Sequence, residues 1–244
     1  MDRRDFIKLG AIGGAVIVST PGFLNNSELY AHDGRIFQAY NRVKLVDENG
    51  KAIKASSLAK EEEYIFNYPH VGTPNFLINL GKPAKRQVIL KTQAQKEYLW
   101  NEGVGPFRAI VAYSGICSHQ LMHPNKEMSV VSYVKNEGKT MACDRGGMIV
   151  CAAHLSAFDP EEGGKNYAGP AGEPLAAVVL EYDEKADELY AIGVLGSQKY
   201  KEYFGSFKRQ LKKDFGGKRK AKKLVKIEAP VTTLKKYTKE ILKV

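Results

Sequence analysis

Cys117-Ser118-His119 and Cys151-Ala152-Ala153-His154 offer two thiolates and two imidazoles as a pair of short claws, Cys-x-His and Cys-x-x-His. The spacing lets a tight loop aim both side chains of each claw at one metal centre. Four ligands of this mix suit two kinds of centre. One is a tetrahedral zinc held by two sulfurs and two nitrogens. The other is a [2Fe–2S] cluster in which two histidines replace two cysteines on one iron. That exchange removes two negative charges from the iron, so an added electron is less costly and the potential lies at about −150 to +300 mV. The imidazole nitrogen away from the metal can gain or lose a proton as the oxidation state changes, which suits one-electron, one-proton exchange.

Both claws need rigid elements to deliver them, and the flanking sequence reads as strands. Residues 109–116 are nearly all apolar and lead into the first claw; residues 148–151 lead into the second. Around them, 43–46 and the stretch from Ala52 flank the turn Asp47-Glu48-Asn49-Gly50. Residues 64–68, 76–80 and 87–91 are β-branched or aromatic runs punctuated by Pro69, Pro74 and Pro83. Residues 129–134 and 139–143 are expected to pair across Asn136-Glu137-Gly138, and 178–182 with 188–194 across 183–187. No repeat and no long 3.6-residue apolar period interrupts this all-β body of about 165 residues. Beyond Gly196 the pattern changes: 200–214 reads as an amphipathic helix with Tyr203, Phe204, Phe207 and Leu211 on one side, 216–223 as a polybasic run, and 231–244 as another short helix.

The chain is long enough for a sizeable apolar core, and three cysteines exclude a disulfide-stapled secreted domain. The net charge of +10 is not a nucleic-acid signature, because residues 199–244 alone sum to +12 and the rest to −2. The basicity is therefore assigned to a C-terminal tail that docks on a membrane surface or an acidic subunit.

The order Cys-His, Cys-His, with Ser156 two residues past the second histidine and Gly169-Pro170-Ala171 beyond it, resembles the Rieske iron–sulfur family. The resemblance is strongest over residues 105–175. It implies an antiparallel β-sandwich base, residues 32–198, with an inserted cluster-binding subdomain at about 113–175. It implies a [2Fe–2S] cofactor with Cys117 and Cys151 on the inner iron and His119 and His154 on the outer one. Ser156 matches the family serine that hydrogen-bonds a bridging sulfide and raises the potential. Phe158 stands where high-potential members often have Tyr, so one hydroxyl bond to a ligand sulfur is missing. Gly169 and Pro170 match the family's proline-containing loop over the cluster. Met1-Asp2-Arg3-Arg4-Asp5-Phe6-Ile7-Lys8, followed by an apolar run over 9–24, resembles the twin-arginine export signal. That run falls short of the ~20 residues that span a bilayer comfortably, and Leu29-Tyr30-Ala31 is an imperfect cleavage site. Residues 1–31 are thus a signal or a retained anchor, and the protein is expected on the periplasmic, extracytoplasmic face of a membrane.

The nearest resemblance is to the Rieske subunit of cytochrome bc-type quinol oxidoreductases. This implies a subunit, not catalytic alone, with cytochrome b and a c-type cytochrome as partners and a quinol as donor. The missing tyrosine hydroxyl favours a lower potential and menaquinol. A second reading is the small subunit of a periplasmic molybdenum oxidase of the arsenite-oxidase type, and a third is a structural zinc module. The sequence offers no two-His-one-carboxylate site for a ring-hydroxylating oxygenase. Three departures bear on subtype. The disulfide that ties the two cluster loops in bc members is absent, its places being held by Met122 and Ala153. Leu155 replaces the usual Gly, and the 31 residues between His119 and Cys151 are about twice the common number. His32, His70, His123, Cys143, Asp144-Arg145 and Trp100 are assigned no ligand role.

Overall fold

The computed structural model describes residues 36–244. The twin-arginine segment, the apolar run behind it, the possible cleavage site and His32 lie outside the described residues.

The base is one mixed sheet. Strand β1 (Phe37–Val46) turns Val43 and Leu45 inward and leaves Lys44 between them half-exposed, the period-2 pattern of a sheet with one dry face. It pairs antiparallel with β13 (Glu188–Leu195), which forms the expected hairpin with β12 (Ala177–Asp183). The Asp183 carboxylate fixes that turn by accepting from the N–H groups of Lys185 at 3.0 Å and Ala186 at 3.1 Å. The sheet continues through β6 (Ile110–Ser114), β3 (Pro74–Asn79) and β2 (Glu63–Asn67). Strand β3 is buried on both faces: Leu77 joins one core, while Phe76 and Ile78 join the other. That double burial explains its central apolar run, Phe76-Leu77-Ile78.

The second layer is a four-stranded sheet in the order β11 (Lys165–Ala168), β10 (Ser156–Asp159), β9 (Met148–Cys151), β8 (Val131–Val134). A separate hairpin of β4 (Val88–Lys91) and β5 (Glu97–Trp100) packs Trp100 against Tyr113, with ring centroids 6.4 Å apart. Residues 139–143 form no strand, contrary to expectation. The partner of β8 is β9, whose four residues are all buried, whereas 139–143 is mostly surface and Met141 is 75% exposed. The excess between the claws is thus a long loop joining two paired strands.

Residues 199–244 do not form a free tail. The expected single helix breaks into α1 (Tyr200–Ser206) and α2 (Lys208–Phe215), with Phe207 as the joint after the poor helix formers Gly205 and Ser206. Helix α3 (Lys218–Ala221) follows, and of the helix expected over 231–244 only α4 (Leu234–Tyr237) exists. Between them β14 (Glu228–Pro230) pairs parallel with β1, and β15 (Thr232–Thr233) pairs antiparallel with β2. One six-residue stretch therefore caps both edges of the six strands from β1 to β2, completing an eight-stranded sheet that is close to a closed barrel. The buried Val231 sits at the seam and donates its N–H to the Val46 carbonyl at 2.8 Å. The driving force is general, since an open edge leaves a row of unpaired backbone groups. Strand β16 (Glu240–Ile241) then pairs with β7 (Met128–Ser129), next to the first claw. Among the described residues no helix is long and apolar enough to cross a membrane.

Candidate metal centre

Strand β6 ends three residues before Cys117, and β9 ends on Cys151 itself. The ladder holds Cys151 between Val131 of β8 and Ser156 of β10, so the second sulfur is fixed by strand pairing on both sides. The first is fixed by a tight loop: the Cys117 N–H donates to the Met122 carbonyl at 2.8 Å and its own carbonyl accepts from Leu121 N–H at 3.0 Å. Ser118 Oγ–H reaches across to the Glu173 carbonyl at 2.8 Å, tying this loop to the one that follows Pro170.

The ligands come together as two pairs. Cys117 and Cys151 are both buried, and each thiol shifts the titration of the other. The neighbouring sulfur, then burial, pushes the Cys117 thiol well above its ordinary range. The same neighbour draws Cys151 down to about 7 against the effect of burial, helped by the N–H groups of Ala153 and His154. The N–H groups of His119 and Gln120 do for Cys117 what those of Ala153 and His154 do for Cys151. Each claw thus aims two amide dipoles at its sulfur, an arrangement that stabilises thiolate. The rings of His119 and His154 meet edge to face, with centroids 5.0 Å apart at 87°. His154 is exposed while His119 is half-buried, so the histidine side is the outer side.

Two polar atoms here are buried without a hydrogen-bond partner in the protein: His119 Nδ1 and Ser156 Oγ. Such atoms are expensive unless something else satisfies them. A metal on His119 and a sulfide acceptor for Ser156 would satisfy both. Among the described residues no three His, Cys, Asp or Glu side chains gather as ligands of one ion. A zinc would need all four donors at about 2.0–2.3 Å from one point, whereas two pairs are what a binuclear centre asks for. The residues present therefore fit a [2Fe–2S] group.

The covering loop is held to the second claw by a glycine. Gly169 has φ +83°, and a Cβ there would lie 2.3 Å from the Leu155 carbonyl oxygen. Leu155 itself is left-handed, with φ +57°, which accounts for the family's preference for Gly at this position. Pro170 is exposed, and Phe158 is fully buried in the same core cluster as Cys117 and Cys151, paired with Ile149. Met122 and Ala153 form no cross-link, and all three cysteines are free.

The remaining candidates fall away from the centre. His123 is buried, with Nδ1 2.8 Å from the Leu121 carbonyl and Nε2 3.1 Å from Gln210 Oε1. Burial holds its pKa below the ordinary value. His70 is wedged edge-on against Tyr200 and Phe204, and burial draws it down to about 4, the behaviour of a neutral core histidine. Cys143 Sγ bonds the Arg145 carbonyl at 3.2 Å. Sequence reasoning missed Glu173. Its buried carboxylate accepts from Gln93 N–H at 3.1 Å and Ser197 Oγ–H at 2.5 Å, and it pairs with Lys199. Burial pushes this carboxyl up, but those bonds outweigh it and hold it below the usual carboxylate range. Nothing in the local sequence marks it, because its partners come from two distant segments, Gln93 and the stretch 197–199.

An all-β frame presenting two thiolates below and two imidazoles at the surface defines an iron–sulfur electron carrier with mixed ligation. The family model of the Rieske [2Fe-2S] domain matches residues 82–179, so the chain carries a Rieske domain whose cofactor is a [2Fe–2S] cluster. Iodate reductase subunit IdrB of Pseudomonas sp. (strain SCT) is 27% identical over 198 residues, covering 80% of this chain and 80% of that protein. The subunit of the same name from Denitromonas iodatirespirans is 26% identical over 196 residues, covering 80% and 82%. Among solved structures, the soluble domain of the Rieske protein II (soxF) from Sulfolobus acidocaldarius is 25% identical. It covers 65% of this chain and 82% of that one, with a TM-score of 0.44. The ferredoxin of carbazole 1,9a-dioxygenase from Nocardioides aromaticivorans IC177 is 13% identical over 65% and 99% of the two chains, with a TM-score of 0.34.

Proposed function

We propose that this protein is the Rieske electron-transfer subunit of an exported oxyanion-converting molybdenum oxidoreductase, the type to which the two iodate reductase subunits point. One observation carries the choice: those relatives match over 80% of their own length, well past the cluster domain. The same match covers 80% of this chain as well, so the relatives are of similar length. It also weighs against the cytochrome bc reading, with its cytochrome b, c-type cytochrome and quinol, to which neither of these two relatives points. The Arg3-Arg4 export reading belongs to this proposal, because a domain that folds around a cluster before crossing a membrane suits that route.

When bound, the cluster supplies a one-electron redox couple. The protein's own part is to hold the thiolates under four amide N–H groups, to exclude water from the sulfur side, and to leave the histidine edge exposed as the point of exchange. The test is isolation of the native assembly from its host, with metal and haem analysis. Molybdenum together with iron and no haem b is the expected result. Haem b with no molybdenum would restore the quinol–cytochrome c reading.

A further inference from the structure

Residues 208–226 hold ten Lys or Arg and a single carboxylate, Asp214. The side chains of α2 divide sharply: Leu211 is fully buried, while Lys208, Arg209, Lys212 and Lys213 are exposed; Phe207, the joint before it, is half-buried. Among the described residues only Lys213 of these ten forms an ion pair, with Glu127 at 2.8 Å. The other nine form no ion pair among the described residues, and like charges within a Debye length of about 8 Å repel. An acidic partner surface would relieve that repulsion.

The face has a defined position relative to the cluster. His123 lies four residues past the ligand His119, and its ring packs against Tyr203 and Phe207 with centroids 4.7 and 4.5 Å away. Its Nε2 meets Gln210 of α2 at 3.1 Å, and one turn further on Lys213 meets Glu127. Helix α2 therefore lies directly on the chain segment that continues from the first claw.

From the charge and its placement we infer that the exposed face of residues 208–226 is the docking surface for an acidic electron-transfer protein, held beside the histidine edge of the cluster. The inference rests on the electron-transfer reading and names the partner's chemistry. A lipid surface fits less well. A membrane-surface helix inserts its apolar side chains, and here Phe204 and Leu211 are buried in the protein and Phe207 packs on His123. The exposed apolar side chains of this region, Leu224 and Ile227, stand singly outside the helices, enough for the centre of a protein contact. An acidic protein surface requires chiefly the charge, which sets encounter rate and orientation.

The test compares the full-length holoprotein with a Lys208→Glu/Arg209→Glu/Arg219→Glu/Lys220→Glu variant. All four side chains are exposed, and the first two stand in the first turn of α2, where the helix dipole favours carboxylates. Binding is measured against the soluble acidic haem domain of cytochrome b5 as probe, and against phosphatidylglycerol vesicles, across a salt series. The expected result is wild-type binding to the haem protein that weakens with salt and falls at least about tenfold in the variant, with little vesicle binding. Equal binding by the two proteins, or wild-type binding to vesicles and not to the acidic protein, would overturn the inference. The EPR signal of the cluster is read on the same samples. Its absence alongside charge-dependent binding would sink the electron-transfer reading and leave the docking surface standing.

Discussion

Ser156→Ala should act in opposite directions on the cluster-free and the loaded protein. Ser156 is fully buried at the start of β10, and its Oγ has no hydrogen-bond partner in the protein. A buried polar group left unpaired costs about 1–3 kcal/mol. Without the cluster, alanine removes that penalty and leaves only a small void, so the unfolding free energy should rise by about 1 kcal/mol. With the cluster in place the hydroxyl would have a sulfur acceptor, and reduction would add one negative charge to the cluster. A hydrogen bond to a neutral acceptor is worth about 0.5–1.5 kcal/mol and one to a charged acceptor about 1.5–3. The difference, about 1–1.5 kcal/mol, is what the hydroxyl adds to the reduced state. At 59 mV per tenfold change in a one-electron equilibrium, this is about 40–65 mV. The midpoint potential of Ser156→Ala should fall by that amount in protein-film voltammetry at pH 7, while urea unfolding of the cluster-free chain shows equal or greater stability. An unmoved potential with a destabilised apoprotein would mean that Ser156 bonds the protein and not the cluster.

Four further outcomes are expected. Gly169→Ala should lose iron, since its Cβ would collide with the Leu155 carbonyl and force the covering loop off the second claw; the assay is iron per chain after purification. Leu155→Gly should raise the melting temperature, because it relieves a left-handed leucine at a gain of about 0.5–1 kcal/mol. Phe158→Tyr should raise the potential by tens of millivolts if the ring's place in the core it shares with Cys117 and Cys151 is the tuning position; no change or a fall removes that role and the low-potential inference with it. Glu63 is half-buried, and desolvation pushes its carboxyl up to about 8, despite the N–H of Tyr133. A carboxyl raised in the folded state binds its proton more tightly there than in the unfolded chain, so stability should decline as pH rises from about 4.5 to 8. Glu63→Gln should flatten that decline in thermal melts at pH 5 and pH 8, and an unchanged slope would refute the assignment.

The centre was legible because its chemistry is local. Each claw places its two ligands within four residues, and the apolar runs ending at Ser114 and Cys151 could only be strands aimed at one place. Ser156 and Gly169 stood out as candidates for the same reason, one following the second claw within two residues and the other sitting in a short proline-marked loop. The missed strand β5 and the absent strand over 139–143 mark where local pattern fails. Glu97–Trp100 pairs only because Val88–Lys91 lies beside it, and 139–143 had no edge to join once β9 had taken β8.

The C-terminal segment was misread because its charge density hides its apolar spacing. Val225, Ala229, Val231, Leu234 and Tyr237 are scattered among lysines, yet each packs into the body, four of them buried. Lysine can accompany such residues because its stem lies along apolar surface while the ammonium stays in water. Mean charge therefore says little about whether a segment is packed. The spacing of its apolar residues says more, and here it selects positions where both edges of the base sheet need a partner. The same segment carries α2 onto the loop of His119, so the part of the sequence that looked most detachable helps to fix the first claw. The loops lack a covalent tie at Met122 and Ala153, and the contacts of His123 with Gln210, Tyr203 and Phe207 hold that loop from outside.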